Sequence, residues 1–158
     1  MGMITNPSVS MIVGLIERVS DLKTSEDIAQ IDDDLGIEKS EFFHIIDDAE
    51  SLELVKVIDG NIQLTDFGKK FVNSGIKDRK KLLGEKIKQI EPFKTALEIL
   101  EKAHNKKMEK DKFLELMKKN FYTIDLDKLF KIIVNWGRYT KLIGYSIDTD
   151  EIYIYKGD

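Results

Sequence analysis

The stretch Asp59-Gly60-Asn61-Ile62-Gln63-Leu64-Thr65-Asp66-Phe67-Gly68 decides the fold. Leu54 to Ile58 and Ile62 to Leu64 are short β-prone runs, and the Asp-Gly-Asn between them tolerates the positive φ that a tight hairpin turn requires. Thr65 then caps a helix whose Phe67, Phe71 and Val72 lie at helical spacing, and Gly68 permits a close backbone approach. Working towards the N-terminus, a helix runs from about Glu38 or Ser40 to Ser51, with Phe42, Phe43, Ile45, Ile46 and Ala49 as its buried side. Before it, Thr24-Ser25-Glu26-Asp27 has capping-box form and opens a helix with Ile28, Ala29, Ile31 and Leu35 inward, stopped by Gly36. Pro7 to Val19 makes a first helix, apolar at Val9, Ile12, Val13, Ile16 and Val19.

Working towards the C-terminus, the same order returns. Pro92 suits a helix start, and Phe93, Ala96, Leu97 and Leu100 follow it. Polar Asn105-Lys106-Lys107 separates that helix from another near Lys110 to Asn120. A last helix, about Asp125 to Lys141, carries Leu126, Leu129, Phe130, Ile133 and Trp136 on one side. Tyr145 to Ile147 and Ile152 to Tyr155, around Asp148-Thr149-Asp150-Glu151, form a second hairpin. Asn73-Ser74-Gly75 marks the boundary between the halves, and a basic helix from Lys77 to Ile90 joins them, with Leu82, Leu83, Ile87 and Ile90 as its stripe. The expected fold is mainly α with small β-hairpins (α+β), built as tandem winged helix-turn-helix units packed together. The units are 1–75 and 92–158, with the linking helix at 76–91.

The bulk composition agrees with an ordered, helix-rich protein: 42% of the 158 residues are hydrophobic, 34% are charged and two are proline. With no cysteine, a disulfide framework and a thiolate metal site are both excluded. No apolar run approaches the roughly 18 to 20 residues needed to cross a bilayer, since Glu17 and Arg18 interrupt Met11 to Ile16. The N-terminus has no basic region of the kind a signal peptide carries, so a cytoplasmic protein without membrane insertion is expected. Charge is segregated along the chain. From Asp21 to Gly60, 13 acidic residues stand against Lys23, Lys39 and Lys56; from Lys69 to Lys119, 16 basic residues stand against 8 acidic ones. Such polarity can hold two halves together or steer a charged partner.

Catalytic motifs are hard to find. His44 and His104 fall in different halves, and His44, set amid Phe42, Phe43, Ile45 and Ile46, is expected to be partly buried and hydrogen-bonded. No nucleophile elbow or His-x-x-x-His pair occurs. Asp32-Asp33-Asp34 and Asp47-Asp48 do not converge on a cation, because consecutive helical residues point about 100° apart, and a solvated face is the expected setting. Asp148-Thr149-Asp150-Glu151 reads as a polar hairpin tip. No metal or other cofactor is therefore expected.

Two helices stand out as contact surfaces. The last one presents Lys128, Lys131, Asn135 and Arg138 opposite its apolar stripe, a set that suits a protein partner or, through base edges and phosphates, duplex DNA. The earlier one carries Glu41, Asp47, Asp48 and Glu50, which a phosphate backbone repels. That acidic helix suits a basic partner or the lysine-rich linking helix of the same chain. Trp136 is expected in the core with its indole N–H partnered at the edge, and Arg138 is expected to pair with an acid across the junction.

The phrases Asp59-Gly60-Asn61-Ile62-Gln63-Leu64-Thr65 with Gly68, Asp78-Arg79-Lys80-Lys81-Leu82, and Trp136-Gly137-Arg138-Tyr139 followed by Tyr145 resemble the AAA-associated C-terminal domain. That module is appended to ATPase subunits of ABC transporters of the nitrate, sulfonate and taurine type. The resemblance spans Ser25 to Ile154, and its Trp-Gly-Arg-Tyr piece is the most specific. No glycine here is followed by Lys-Ser or Lys-Thr, so no P-loop is present to cradle phosphates. The resemblance implies an accessory module as a separate chain, non-enzymatic, acting by contact with a protein partner such as a transporter ATPase. A DNA-binding regulator using the second unit is the alternative, and a homodimer is compatible with either.

Overall fold

The computed structural model describes residues 2–21, 26–27 and 38–156. Helix α1 (Val9–Ser20) begins where the Ser8 hydroxyl accepts the Met11 N–H at 3.3 Å, and it buries Ile12, Leu15, Ile16 and Val19. This stripe at i, i+3, i+4 and i+7 packs against helix α2 (Lys39–Ser51), which buries Phe42, Ile45, Ile46 and Ala49. Phe43, expected on that buried side, is instead 44% exposed, because it lies one step round the helix from the stripe.

Strands β2 (Val55–Ile58) and β3 (Asn61–Leu64) form the expected hairpin, registered from Val55 opposite Leu64 to Ile58 opposite Asn61. Its two turn residues, Asp59 and Gly60, have φ of 51° and 79°, the pair of positive values that matches the twist of the flanking strands. Strand β1 (Glu26–Asp27) pairs antiparallel with the other edge of β3, so the sheet has three strands in the order β1-β3-β2. Glu26 and Asp27 were expected to open a helix, and this is a correction. The capping-box pattern is a local preference, whereas the free edge of β3 offers backbone donors and acceptors that an extended segment satisfies. The remainder of that expected helix, from Ile28 to Leu35, lies outside the described residues, as do Asp32, Asp33 and Asp34.

Helix α3 (Asp66–Val72) starts as expected, with the Thr65 hydroxyl accepting the Gly68 N–H at 2.9 Å. Helix α4 (Ile76–Ile87) is the linking helix and buries Leu83 and Ile87. The second half then runs through α5 (Phe93–Glu101), a short 3-10 turn at His104–Lys106, β4 (Lys107–Glu109), α6 (Lys110–Lys118), α7 (Leu126–Thr140), β5 (Ile143–Ser146) and β6 (Glu151–Ile154). Asp125 caps α7 by accepting the N–H groups of Asp127 and Lys128. The second sheet has the order β4-β6-β5, the same arrangement as the first, in which a short early strand covers the edge of the later hairpin. The sequence shows both hairpins but neither covering strand, because two or three residues are too few for a periodic signal.

Two apolar clusters fill the interior. One gathers α1, α2, the first hairpin and α4; the other gathers α5, α6, α7 and the second hairpin. Helix α7 enters both. Leu129, Phe130 and Ile133 belong to the second cluster, while Ile132 and Trp136 cross into the first alongside Phe93. The halves therefore share a core, and α4 is packed along α7 rather than suspended between two bodies.

Arg79 explains the Asp-Arg-Lys-Lys-Leu phrase. Its Nε lies 3.1 Å from the carbonyls of both Phe71 and Ser74, another guanidinium nitrogen donates to the Val72 carbonyl at 2.9 Å, and the group stacks 5.1 Å from the Phe71 ring centroid. One side chain thus satisfies the C-terminal carbonyls of α3 and sets the angle at which α4 departs. Lysine cannot reproduce this fork. Arg79→Lys should lower stability by about 1–3 kcal/mol in urea unfolding. Gly68→Ala should cost at least about 1–3 kcal/mol in the same assay, because an ideal Cβ there falls 2.1 Å from the Leu54 carbonyl oxygen, a backbone atom that cannot swing aside.

Candidate functional site

The segment Met3 to Pro7 runs across the junction of the halves and is tied to both. The Ile4 N–H donates to the Glu91 carbonyl at 2.9 Å. The Thr5 N–H and hydroxyl both donate to Asp48 Oδ1 at 3.0 Å, and the Asn6 N–H donates to Asp48 Oδ2 at 2.9 Å. The Asn6 carbonyl accepts the Trp136 indole N–H at 2.8 Å, and the Pro7 carbonyl accepts the Asn135 amide at 3.1 Å. Asp48 is fully buried, so the solvated setting expected for it is corrected. The carboxylate reaches an interior position because it serves as acceptor for three donors of a segment whose only β-pairing among the described residues is the Met3–Glu91 bridge. Burial pushes its pKa above the ordinary 3.8, and the Asn6 and Thr5 hydrogen bonds only partly offset that rise.

The structure divides the expected contact residues. Lys128 borders a cleft of about 480 Å³ with Glu38, Glu41 and His44, so the first part of α7 faces the acidic start of α2 across Asn6 and Ser8. Asn135 and Arg138 line a different groove, about 700 Å³, with Arg79, Tyr139, Ile76 and Pro7. Pro7 and Ser8 form the wall shared by the two. Lys131 stands exposed on α7, and Asp47 and Glu50 stand exposed on α2. Glu50 is held above its ordinary pKa, first by partial burial and then by the charge of Asp47.

Several expectations are corrected here. His44 is exposed at the cleft edge, not buried among its apolar neighbours, because the helix turns it away from the stripe on which Phe42, Ile45 and Ile46 lie. Arg138 does not pair with an acid across the junction; it donates to the Tyr145 carbonyl in its own hairpin at 3.2 Å. The acidic face of α2 does not dock on the lysines of α4. Lys86 reaches Glu53 beyond α2 and sits 4.6 Å from the Phe67 ring centroid, Lys80 sits 5.5 Å from that of Tyr139, and Lys88 pairs with Glu85 of its own helix. Trp136 is buried with its N–H partnered, as its place on the stripe suggests. The polar ends of Asn135 and Arg138 are both engaged within the chain, and reading a base edge with them would first break those contacts. Sequence reasoning missed the Met3–Pro7 segment, which lies on no periodic element, and gave Arg79 no role beyond its place in the Asp78-Arg79-Lys80-Lys81-Leu82 phrase, because periodicity does not tell it from the lysines beside it on α4.

Replacing Asp48 with Asn leaves one acceptor and an NH₂ group facing two backbone N–H donors. Asp48→Asn should destabilise by about 1–3 kcal/mol, whereas Asp47→Asn, on the exposed face, should be nearly neutral in the same urea titration. The pH dependence has a definite sign. Because the folded protein holds the Asp48 proton more tightly than the unfolded chain does, this group favours folding below the ordinary 3.8. That advantage is lost as the pH rises through its raised folded pKa, and Asp48→Asn should remove this component from stability measured against pH.

A family model described as the C-terminal AAA-associated domain matches residues 29–146, more than half of the chain. The matched span covers α2, the first hairpin, β5, and all of α4 and α7, so it includes both grooves' walls except those from Thr5 to Val13. Among curated proteins none matches, and among solved structures none matches. No helix among the described residues is long and apolar enough to cross a membrane. The chain belongs to the C-terminal AAA-associated domain family, accessory domains related to the ATPases of ABC transporters.

Proposed function

We propose that this protein is a non-enzymatic, cytoplasmic regulatory module that binds a protein partner, an ATPase subunit of an ABC transporter, through the groove between α4, α7 and the Pro7–Ser10 segment. The observation that carries this reading is the family membership: the related domains are accessory to an ATPase, and this sequence holds no P-loop of its own. The groove supports the location. Its lining is mainly apolar, it joins residues of both halves, and Ile76 at its rim is 75% exposed, leaving an aliphatic side chain available to a partner. Arg79, Arg138 and Asn135 supply polar groups at its edge, the mixture of apolar centre and charged rim that suits a protein surface.

Each half, with its helices, early strand and hairpin in one order, is read as a winged helix-turn-helix unit. In such units the helix before the hairpin is the usual nucleic-acid reader, which here is α7. The duplex DNA alternative is the weaker one because Asn135 and Arg138 are bonded within the chain and Lys128 faces Glu38 and Glu41. A homodimer through the same groove would use Ile76 in a self-complementary contact.

Two measurements test these readings. Calorimetric titration of the partner ATPase subunit should show binding that Ile76→Glu weakens at least about tenfold, as expected when a charge enters a desolvated contact. Binding unaffected by Ile76→Glu would move the interface elsewhere, and absence of binding would overturn the partner reading. Anisotropy of labelled duplex DNA at low and high salt should show no specific binding. Binding that weakens with salt and disappears in a Lys128→Ala, Lys131→Ala, Arg138→Ala variant would establish the regulator instead.

A further inference from the structure

The far side of the second sheet carries a cavity that the partner reading does not use. It measures about 860 Å³ and lies between the 3-10 turn and the end of β6, bordered by Asn105, Lys106, Lys107, Tyr153, Tyr155 and Lys156. Tyr153 on β6 and Tyr155 just past its end alternate with Ile152 and Ile154, so both rings share one face. Their centroids are 5.5 Å apart at an interplanar angle of 35°. They close over Gly144 on the neighbouring strand, where a Cβ would fall 2.6 Å from the Tyr153 Cζ and hydroxyl and from Tyr155 Cε1. Only a residue without a side chain lets these two rings lie over the strand instead of standing upright.

Of the described residues that line the cavity, three are lysines and none is acidic. Lys106 pairs with Glu101 at 3.4 Å and Lys107 with Glu151 at 3.7 Å, but these are exposed contacts of the kind worth about 0–1 kcal/mol, which a phosphate can outcompete. The rim is also held in a costly conformation. Asn105 and Lys106 adopt φ of 56° and 53° in succession, and the left-handed region is uncommon for lysine. Consecutive residues held there need support from the surrounding fold, and such strain clusters at ligand sites.

Paired aromatic rings beside several cations are the chemistry that holds a planar base by stacking and its phosphate by charge. We propose that this cavity binds the base-and-phosphate unit of a nucleotide, with Tyr153 and Tyr155 as the stacking platform and Lys106, Lys107 and Lys156 on the phosphate. The same unit occurs in a free nucleotide and in a single strand, and the experiment separates these sources. It is independent of the protein-partner groove, since the two share none of the residues lining them.

The test is a titration of the full chain with ATP, with a labelled single strand of about 12 nucleotides, with the matching duplex, and with inorganic tripolyphosphate, each at low and high salt. At least one of the first two should bind, more weakly as salt rises. Tyr153→Leu with Tyr155→Leu should weaken that binding about 5- to 100-fold, the range expected for lost stacking. Lys156→Glu, beyond the end of β6, leaves the strands untouched and should weaken it several-fold, so the proposal stays testable if the tyrosine variant does not fold. Binding of ATP alone identifies the free nucleotide, and binding of the strand alone identifies single-stranded nucleic acid. The proposal is overturned if neither binds at low salt, if tripolyphosphate binds as tightly as ATP, if the duplex binds more tightly than the strand, or if Lys156→Glu changes nothing.

Discussion

The burial of Trp136 is the contact on which the arrangement of the two halves depends. It lies on α7, the principal helix of the second half, yet its ring is fully buried in the cluster built by α1, α2 and α4. Burial of an indole removes roughly 150–250 Å² from water, an upper estimate of about 4–6 kcal/mol. The indole N–H must still find an acceptor, and the Asn6 carbonyl provides it at 2.8 Å. The hydrogen bond adds little net stability, but leaving the donor unpaired would cost about 1–3 kcal/mol. The requirement for an acceptor at that point fixes where the Met3–Pro7 segment passes.

That segment carries the constraint onward to Asp48. An extended stretch crossing a helical junction has backbone donors and no sheet to satisfy them, and a buried carboxylate on α2 takes two of them. A single chain of contacts therefore runs from α7 through Asn6 and Thr5 to α2. The apolar core supplies most of the stabilisation, and the hydrogen bonds select which of several packed arrangements is adopted. Among the described residues the basic and acidic segments meet through the partly exposed Lys86–Glu53 pair, of a kind that is worth about 0–1 kcal/mol.

The grooves follow from this geometry. Because α7 is driven into the first core, its exposed face is bordered by the Pro7–Ser8 wall, and its candidate residues are split between two clefts. Lys128 belongs with the acids of α2, and Asn135 with Arg138 and Arg79. A helix that looks like a single reading surface on a helical projection is, in the folded chain, partitioned by a segment more than a hundred residues distant, the separation of the Asn6–Trp136 pair being 130. The sequence cue for this was Trp136 itself, whose place on the stripe marked it as core and whose N–H implied a partner, although nothing indicated which.

Local chemistry was legible wherever a local rule decides the outcome. The Asp59-Gly60-Asn61 turn, the Thr65 cap, the two hairpins, the bounds of α7 and the close approach at Gly68 are all dictated by residues within a few positions of one another. Helical periodicity likewise marked most of the buried stripes, missing at Phe43 and His44 because a single residue at the edge of a stripe can face either way. What tertiary structure decided were the features whose partners are remote. Glu26 and Asp27 became strand because the edge of β3 was there to be covered, and Asp48 was buried because Thr5 and Asn6 came to it. Periodicity and turn propensity are properties of short windows, whereas a buried polar group is satisfied by whichever donor the whole chain brings within about 3 Å.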